Sequence, residues 1–161
     1  YVIVGHSERR ALFGESDQAA GRKFKAAIGA GLAPILAVGE SSEEFDAGQT
    51  EEAVRRQLAP ALDEPLEGGV VIAYEPVWAI GRDRPAPPEH AGNVASFVRR
   101  ELERRGHDAA STQILYGGSV SVATFPQFLA QQDIDGALVG RVSLDAEQFS
   151  ELVQSAALSE F

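Results

Sequence analysis

Apolar residues in this chain fall into short unbroken runs, separated by longer stretches where they recur every three or four positions. The runs are YVIV (Tyr1–Val4), PILAV (Pro34–Val38), VVIAY (Val70–Tyr74), QILY (Gln113–Tyr116) and GALV (Gly136–Val139). They do not alternate polar with apolar, so each reads as a strand covered on both faces, the pattern of a parallel α/β layer or barrel. Helical spacing predicts the segments between them. Asp17 to about Ala30 carries Phe24, Ala27 and Ile28 on one face, with Ser16 or Asp17 as N-cap. Thr50 opens a helix with Ala53, Val54 and Leu58 apolar, ending near Pro60. Pro88 starts a third with the stripe Val94, Phe97, Val98, Leu102, stopped by Gly106. Further helices are predicted over Phe125–Gln131 and Asp145–Leu158. Five strands alternating with about five helices argue for βαβ units. No linker or low-complexity tract divides residues 1–161, so a single domain is expected.

The ends of the strands change the picture from architecture to chemistry. Each predicted strand stops at a small or reactive residue: Gly5-His6, Gly39-Glu40, Glu75, Gly117-Gly118 and Gly140. Parallel α/β folds bind ligands at the carboxyl ends of their strands, which places all of these on one rim. The stretch AYEPVWAIGRDRPAPPEH, Ala73–His90, puts a carboxylate at a strand tip and follows it with a stiff, partly apolar loop. Position leaves two readings of Glu75 open: a base whose pKa burial raises, or a rim acid in an ion pair. His6 is equally open, as a donor to a substrate carbonyl or as a histidine satisfied by a neighbouring carboxylate. His90 and His107 read as surface residues of a helix. The three histidines have no metal-ligand spacing, and no metal is expected. The glycines of YGGSV (Tyr116–Val120) and LVGR (Leu138–Arg141) let backbone N–H groups approach an anion closely, at the last two strand ends.

Composition narrows the partners. The chain has 161 residues, 44% of them apolar, with a formal net charge of −10 and a pI of about 4.7. Such a chain repels nucleic acid, and its clustered cations, Arg99, Arg100, Arg104 and Arg105, sit at helical spacing among acids, as on a solvated helix face. The absence of cysteine excludes disulfides, a thiol nucleophile and thiolate metal sites. No apolar run approaches the ~20 residues of a membrane helix, so no membrane partner is expected and the cytoplasm is the expected compartment. The sequence has no methionine and opens on Tyr1 inside a β-type run, from which a fragment cut at the start of a strand is expected.

YVIVGHSERR, GESSEEFDAG, AYEPVWAIG, ILYGGSV and DIDGALVG, in this order and spacing, resemble the triosephosphate isomerase family along essentially the whole chain. The resemblance implies strands four to eight of a parallel (β/α)8 TIM barrel, truncated at its N-terminus to about five βα units, since such a barrel needs ~250 residues. It also implies proton transfer between dihydroxyacetone phosphate and glyceraldehyde 3-phosphate through an enediolate, without cofactor. Glu75 is then the base. His6, neutral near a helix N-terminus, polarises the carbonyl. Glu8 is a support residue expected to pair with a lysine. Pro76, Val77 and Trp78 form the first hinge of a lid that continues through Ala79 and Ile80. Gly81, Ser119, Gly140 and Arg141 are expected to bind the phosphate. The expected partners are a small phosphorylated sugar and, at full length, a second copy in a homodimer.

Three departures qualify the likeness. Arg82-Asp83-Arg84-Pro85 replaces the usual threonine-glycine-lysine type of lid tip. Arg141 stands where a glycine is usual, adding a bidentate phosphate contact or pointing to solvent. Phe45 occupies a position that is usually basic. Together they leave a related activity on a tetrulose phosphate as an alternative. A second alternative is an inactive half-barrel that associates through exposed strand edges: the family's substrate-binding asparagine and lysine lie on the first strand, and its dimer loop follows the third. An unrelated phosphate-binding barrel explains the glycine turns but not His6 with Glu75.

Overall fold

A computed structural model of the chain describes residues 1–64, 70–81 and 85–157. Among these, five parallel strands form one sheet in chain order: β1 (Val2–Val4), β2 (Pro34–Val38), β3 (Val71–Tyr74), β4 (Gln113–Tyr116) and β5 (Gly136–Ala137). Seven α-helices accompany them: α1 (Ser7–Phe13), α2 (Asp17–Gly29), α3 (Ser42–Asp46), α4 (Thr50–Leu58), α5 (Pro88–Arg104), α6 (Phe125–Leu129) and α7 (Ala146–Ala157). Two 310 turns, Val77–Ala79 and Arg141–Leu144, follow β3 and β5.

The register explains how distant segments meet. Val4, Leu36, Ile72 and Ile114 lie side by side across four strands, all buried. Two residues nearer the carboxyl ends, Val38, Tyr74, Tyr116 and Ala137 form the next row on the same face. A common register means that residues just past those rungs emerge at one level, which brings His6, Glu40, Glu75 and Gly117 to the same rim. Helices α2, α4 and α5 close the outer face with Phe24, Val54, Leu58, Val98 and Leu102, each removed completely from solvent. Each such side chain contributes about 1.5–3 kcal/mol of transfer free energy.

The helical starts follow their local chemistry. Ser16 caps α2 by accepting the Ala19 N–H, and Pro88 occupies the first turn of α5, where a missing N–H costs nothing. Helices α1 and α3 are additional to the five expected. Both are short, and neither buries an apolar stripe that periodicity detects: α1 buries only Ser7, and α3 buries nothing. Caps make them instead, with His6 accepting the Glu8 N–H and Ser41 forming a reciprocal capping box with Glu44.

Several expectations change. Strand β1 is not covered on both faces: it lies at a sheet edge, and Ile3 is 45% exposed. Strand β5 stops at Ala137, two residues short of the predicted run. His107 is not a surface residue; it is buried, with Nε2 facing the Leu62 carbonyl at 3.3 Å. Of the last predicted helix, Leu158 falls outside the described residues. Among the described residues no helix is long and apolar enough to cross a membrane, and no cluster of three or more histidine, cysteine or acidic residues could hold a metal.

Candidate active site

Glu75 begins where β3 ends. Its N–H still donates to the Val38 carbonyl at 2.7 Å, so the backbone is locked to β2 while the side chain enters the rim. Two glycines make room for it. A Cβ on Gly39 would stand 1.7 Å from the Glu75 carbonyl oxygen, and one on Gly117 would stand 2.9 Å from Glu75 Cγ. Gly39 is held in turn by Gln57, whose side-chain amide accepts its N–H at 2.7 Å and donates to its carbonyl at 2.8 Å.

The Glu75 carboxylate is buried, with two donors. Oε2 accepts the Ser7 N–H at 2.8 Å and Oε1 lies 3.0 Å from His6 Nε2. Burial pushes its pKa up, and the opposing pull of His6, Ser7 and Arg10 is not enough to cancel it. His6 owes its orientation to α1. As N-cap it turns Nδ1 toward the Glu8 N–H at 3.3 Å. A ring nitrogen that accepts carries no proton, so the ring N–H is Nε2, the atom that faces Glu75. The contact is therefore a neutral imidazole donating to a carboxylate. The geometry matches the paired reading of each residue: Glu75 and His6 satisfy each other, and they do so at the mouth of a cavity.

That cavity, about 820 Å³, opens beside the pair. His6, Glu8, Glu75, Gly81, Ser119, Gly140 and Arg141 all line it, as does Ile80 from the hinge segment. Ser119 Oγ donates to the Ala79 carbonyl at 3.1 Å, joining the YGGSV loop to the loop after Glu75. Arg141 opens the second 310 turn and is exposed. Glu8 meets neither lysine of the chain: Lys23 pairs with Glu15 and Lys25 with Asp63. The other hinge residues lie away from the cavity. Trp78 packs toward α3, where its Nε1–H donates to Glu40 Oε1 at 2.7 Å. The lid-tip residues Arg82, Asp83 and Arg84 lie outside the described residues.

Sequence reasoning assigned no role to four residues that hold this arrangement. Ser7 gives Glu75 its second hydrogen bond. Gln57 fixes Gly39. Glu40 is completely buried and receives the Tyr74 hydroxyl at 2.9 Å as well as the indole. Tyr116 accepts the Ala86 N–H at 3.2 Å, tying the far end of the loop to β4. The signal for Glu40, Tyr74 and Tyr116 was their place at the last rung of a strand or just beyond it. Ser7 and Gln57 act through a backbone contact and a buried amide, for which the sequence carries no mark. His90, expected at the surface, is half-buried with Nε2 3.0 Å from the Tyr74 hydroxyl.

Comparison with known proteins agrees with the geometry. The family model described as triosephosphate isomerase matches residues 1–156. The chain belongs to the triosephosphate isomerase family. It is 48% identical over 160 residues to a triosephosphate isomerase of Dehalococcoides mccartyi, a match covering 98% of this chain and 63% of that protein. Against the triosephosphate isomerase of Halorhodospira halophila identity is 49% over 162 residues, covering 98% and 65%. Against that of Xanthomonas euvesicatoria pv. vesicatoria it is 50% over 163 residues, covering 98% and 64%. The chain therefore spans a little under two thirds of the length of these relatives, and the five parallel strands are a portion of the family's barrel.

Proposed function

We propose that the whole protein interconverts dihydroxyacetone phosphate and glyceraldehyde 3-phosphate by proton transfer through an enediolate. The observation that carries this is the 3.0 Å pairing of Glu75 Oε1 with His6 Nε2 at the mouth of the cavity, in a chain of this family. Glu75, its proton affinity raised by burial, removes a proton from the carbon beside the substrate carbonyl. The Nε2–H of His6, now donated to Glu75, turns to the carbonyl oxygen and stabilises the charge that develops there. Protonated Glu75 then returns the proton to the neighbouring carbon, and the enediol proton passes between the two oxygens by way of the imidazole. This division of roles is the family's known one. Glu8 supports His6 from the same helical turn. The N–H groups of Gly81, Gly140 and Arg141 and the Ser119 hydroxyl hold the phosphate. Pro76, Val77 and Trp78 act as the first hinge of a lid that continues through Ala79 and Ile80 and excludes water. One domain, a homodimer and a cytoplasmic location belong to the same reading.

A second reading keeps the mechanism and changes the substrate. Arg141 lines the cavity, and together with the Arg82-Asp83-Arg84-Pro85 lid tip it is the departure that keeps a tetrulose phosphate as the alternative. An isomerase assay of the full-length protein on triose and tetrose phosphates decides between them. Glu75→Ala is the control, and loss of a general base lowers the rate by at least ~10²-fold. A loss of only a few-fold overturns the assignment. We further propose that residues 1–161 alone are inactive or nearly so, because the family's substrate-binding asparagine and lysine lie on the first strand of its barrel and these residues correspond to strands four to eight. A rate within about tenfold of a full-length relative, ~1.4 kcal/mol in barrier, refutes this.

A further inference from the structure

Four rings surround the buried Glu40 carboxylate. Phe45, from α3, stacks on Trp78 with ring centroids 4.0 Å apart and planes at 22°. His90, from α5, stands edge-on to Phe45 at 5.4 Å and to Trp78 at 5.7 Å. The Tyr74 hydroxyl lies between Glu40 Oε1, at 2.9 Å, and His90 Nε2, at 3.0 Å. The directions of these hydrogen bonds are forced. An ionised carboxylate only accepts and an indole N–H only donates. The single hydroxyl proton of Tyr74 goes to Glu40, so His90 Nε2–H must donate to the Tyr74 oxygen. The result is a chain from His90 through Tyr74 to Glu40 Oε1, which also takes the Trp78 N–H at 2.7 Å. The other carboxylate oxygen, Oε2, has no hydrogen-bond partner among the described residues. The side-chain contacts that orient Glu40 therefore converge on Oε1, which His90 reaches both through Tyr74 and by the direct approach of Nε2 at 3.5 Å.

Trp78 sits midway between Glu75 and Gly81, inside the Val77–Ala79 turn. Its ring is held on one face by Phe45 and at Nε1 by Glu40. We propose that Phe45 and His90 are positioning residues for the loop after Glu75. Phe45 clamps the Trp78 indole by stacking; His90, through Tyr74 and its own approach to Oε1, orients the carboxylate that holds the indole N–H. Together they fix the turn that presents Glu75 at one end and Gly81 at the other. The proposal rests on the isomerase reading only in taking this turn as a hinge.

Trp78 is the sole tryptophan of the chain, so its fluorescence reports the clamp without substrate. The experiment compares emission and acrylamide quenching in the wild-type chain, Phe45→Ala, His90→Phe and His90→Gln, with far-ultraviolet circular dichroism to show that each is folded. Loss of one stacked aromatic pair in Phe45→Ala shifts the balance between clamped and released indole about two- to tenfold toward release, seen as red-shifted emission and stronger quenching. His90→Phe keeps a ring and removes the donor, shifting the balance about two- to tenfold the same way. His90→Gln restores an N–H near the Nε2 position and returns the wild-type spectrum. If Phe45→Ala does not fold, Phe45→Leu keeps the bulk and removes the stack, with the same expected shift. Wild-type emission and quenching in folded Phe45→Ala or Phe45→Leu, and in His90→Phe, overturn the proposal. A His90→Gln spectrum as altered as that of His90→Phe overturns the donor role of His90. Glu75→Gln, assayed for isomerase activity, tests the functional reading separately, since neither result depends on the other.

Discussion

Glu40 and Glu75 lie just past the ends of neighbouring strands. Val38 and Tyr74 share the last rung of the sheet; Glu75 follows directly and Glu40 one residue later, and each is almost wholly removed from solvent, at 0% and 2% exposure. Burial pushes both carboxyls up, yet they end on opposite sides of the ordinary value. Glu40 is held below it, because hydrogen bonds from His90, Trp78, its own backbone and Tyr74 together outweigh burial. Glu75 is held above it, because His6, Ser7 and Arg10 do not compensate for the desolvation. Burial alone thus says little about what a carboxylate does. The number and kind of donors around it decide whether it keeps its charge as an anchor or stays ready to take a proton.

The sharpest way to break this contrast is to remove the two acids in turn. Glu75→Ala lowers isomerisation by the full-length protein by at least ~10²-fold, measured as kcat/KM, while Trp78 fluorescence stays as in wild type. Next in size is the backbone contact that seats Glu75. Gly39→Ala forces a Cβ to within 1.7 Å of the Glu75 carbonyl oxygen, so the strands must separate. Such overpacking costs about 1–3 kcal/mol or more in urea unfolding. Glu40→Gln replaces a charged acceptor that serves two neutral donors and costs about 1–3 kcal/mol by the same measurement. Gln57→Leu leaves the Gly39 N–H and carbonyl unpaired and costs about 1–3 kcal/mol, with base chemistry impaired only through displacement of Glu75.

The smallest effects are in pH dependence, and their signs differ. Glu40 is depressed in the folded state, so its contribution to stability is present above the unfolded pKa and is lost as pH falls through the folded value, below the ordinary carboxylate range. The stability gap between wild type and Glu40→Gln therefore narrows in acid. Glu75 is raised in the folded state, so its ionisation opposes folding above that raised value and the penalty is relieved as pH falls through it. Glu75→Gln is accordingly at least as stable as wild type at neutral pH, in urea unfolding followed by circular dichroism. A Glu75→Gln chain clearly less stable at neutral pH would overturn the contrast.

Much of this was legible in the residues themselves. The five apolar runs mark five strands, and the stripe from Val94 to Leu102 marks α5, because burial on one side of a long helix must repeat at its period. The placement of Glu75, His6, Gly81, Ser119, Gly140 and Arg141 around one cavity also follows from strand ends, since parallel strands share a direction and so share a rim. Their specific roles came from the resemblance of the motifs, not from spacing. Short helices escaped notice because a cap, not a stripe, makes them. The burial of His107 and the half-burial of His90 escaped notice because a single polar residue carries no periodic signal.

The sequence by itself determined the alternation of strands and helices and the kinds of side chain available at each strand end, because apolar burial and chain direction are written in local order. Only the tertiary structure decided which of two neighbouring buried acids binds its proton more tightly. That outcome depends on donors brought in from other elements: Ser7 and His6 to one carboxylate, Tyr74, Trp78 and His90 to the other. Electrostatic energy in a low-dielectric interior is set by distances between groups far apart in the chain, and no local pattern encodes them.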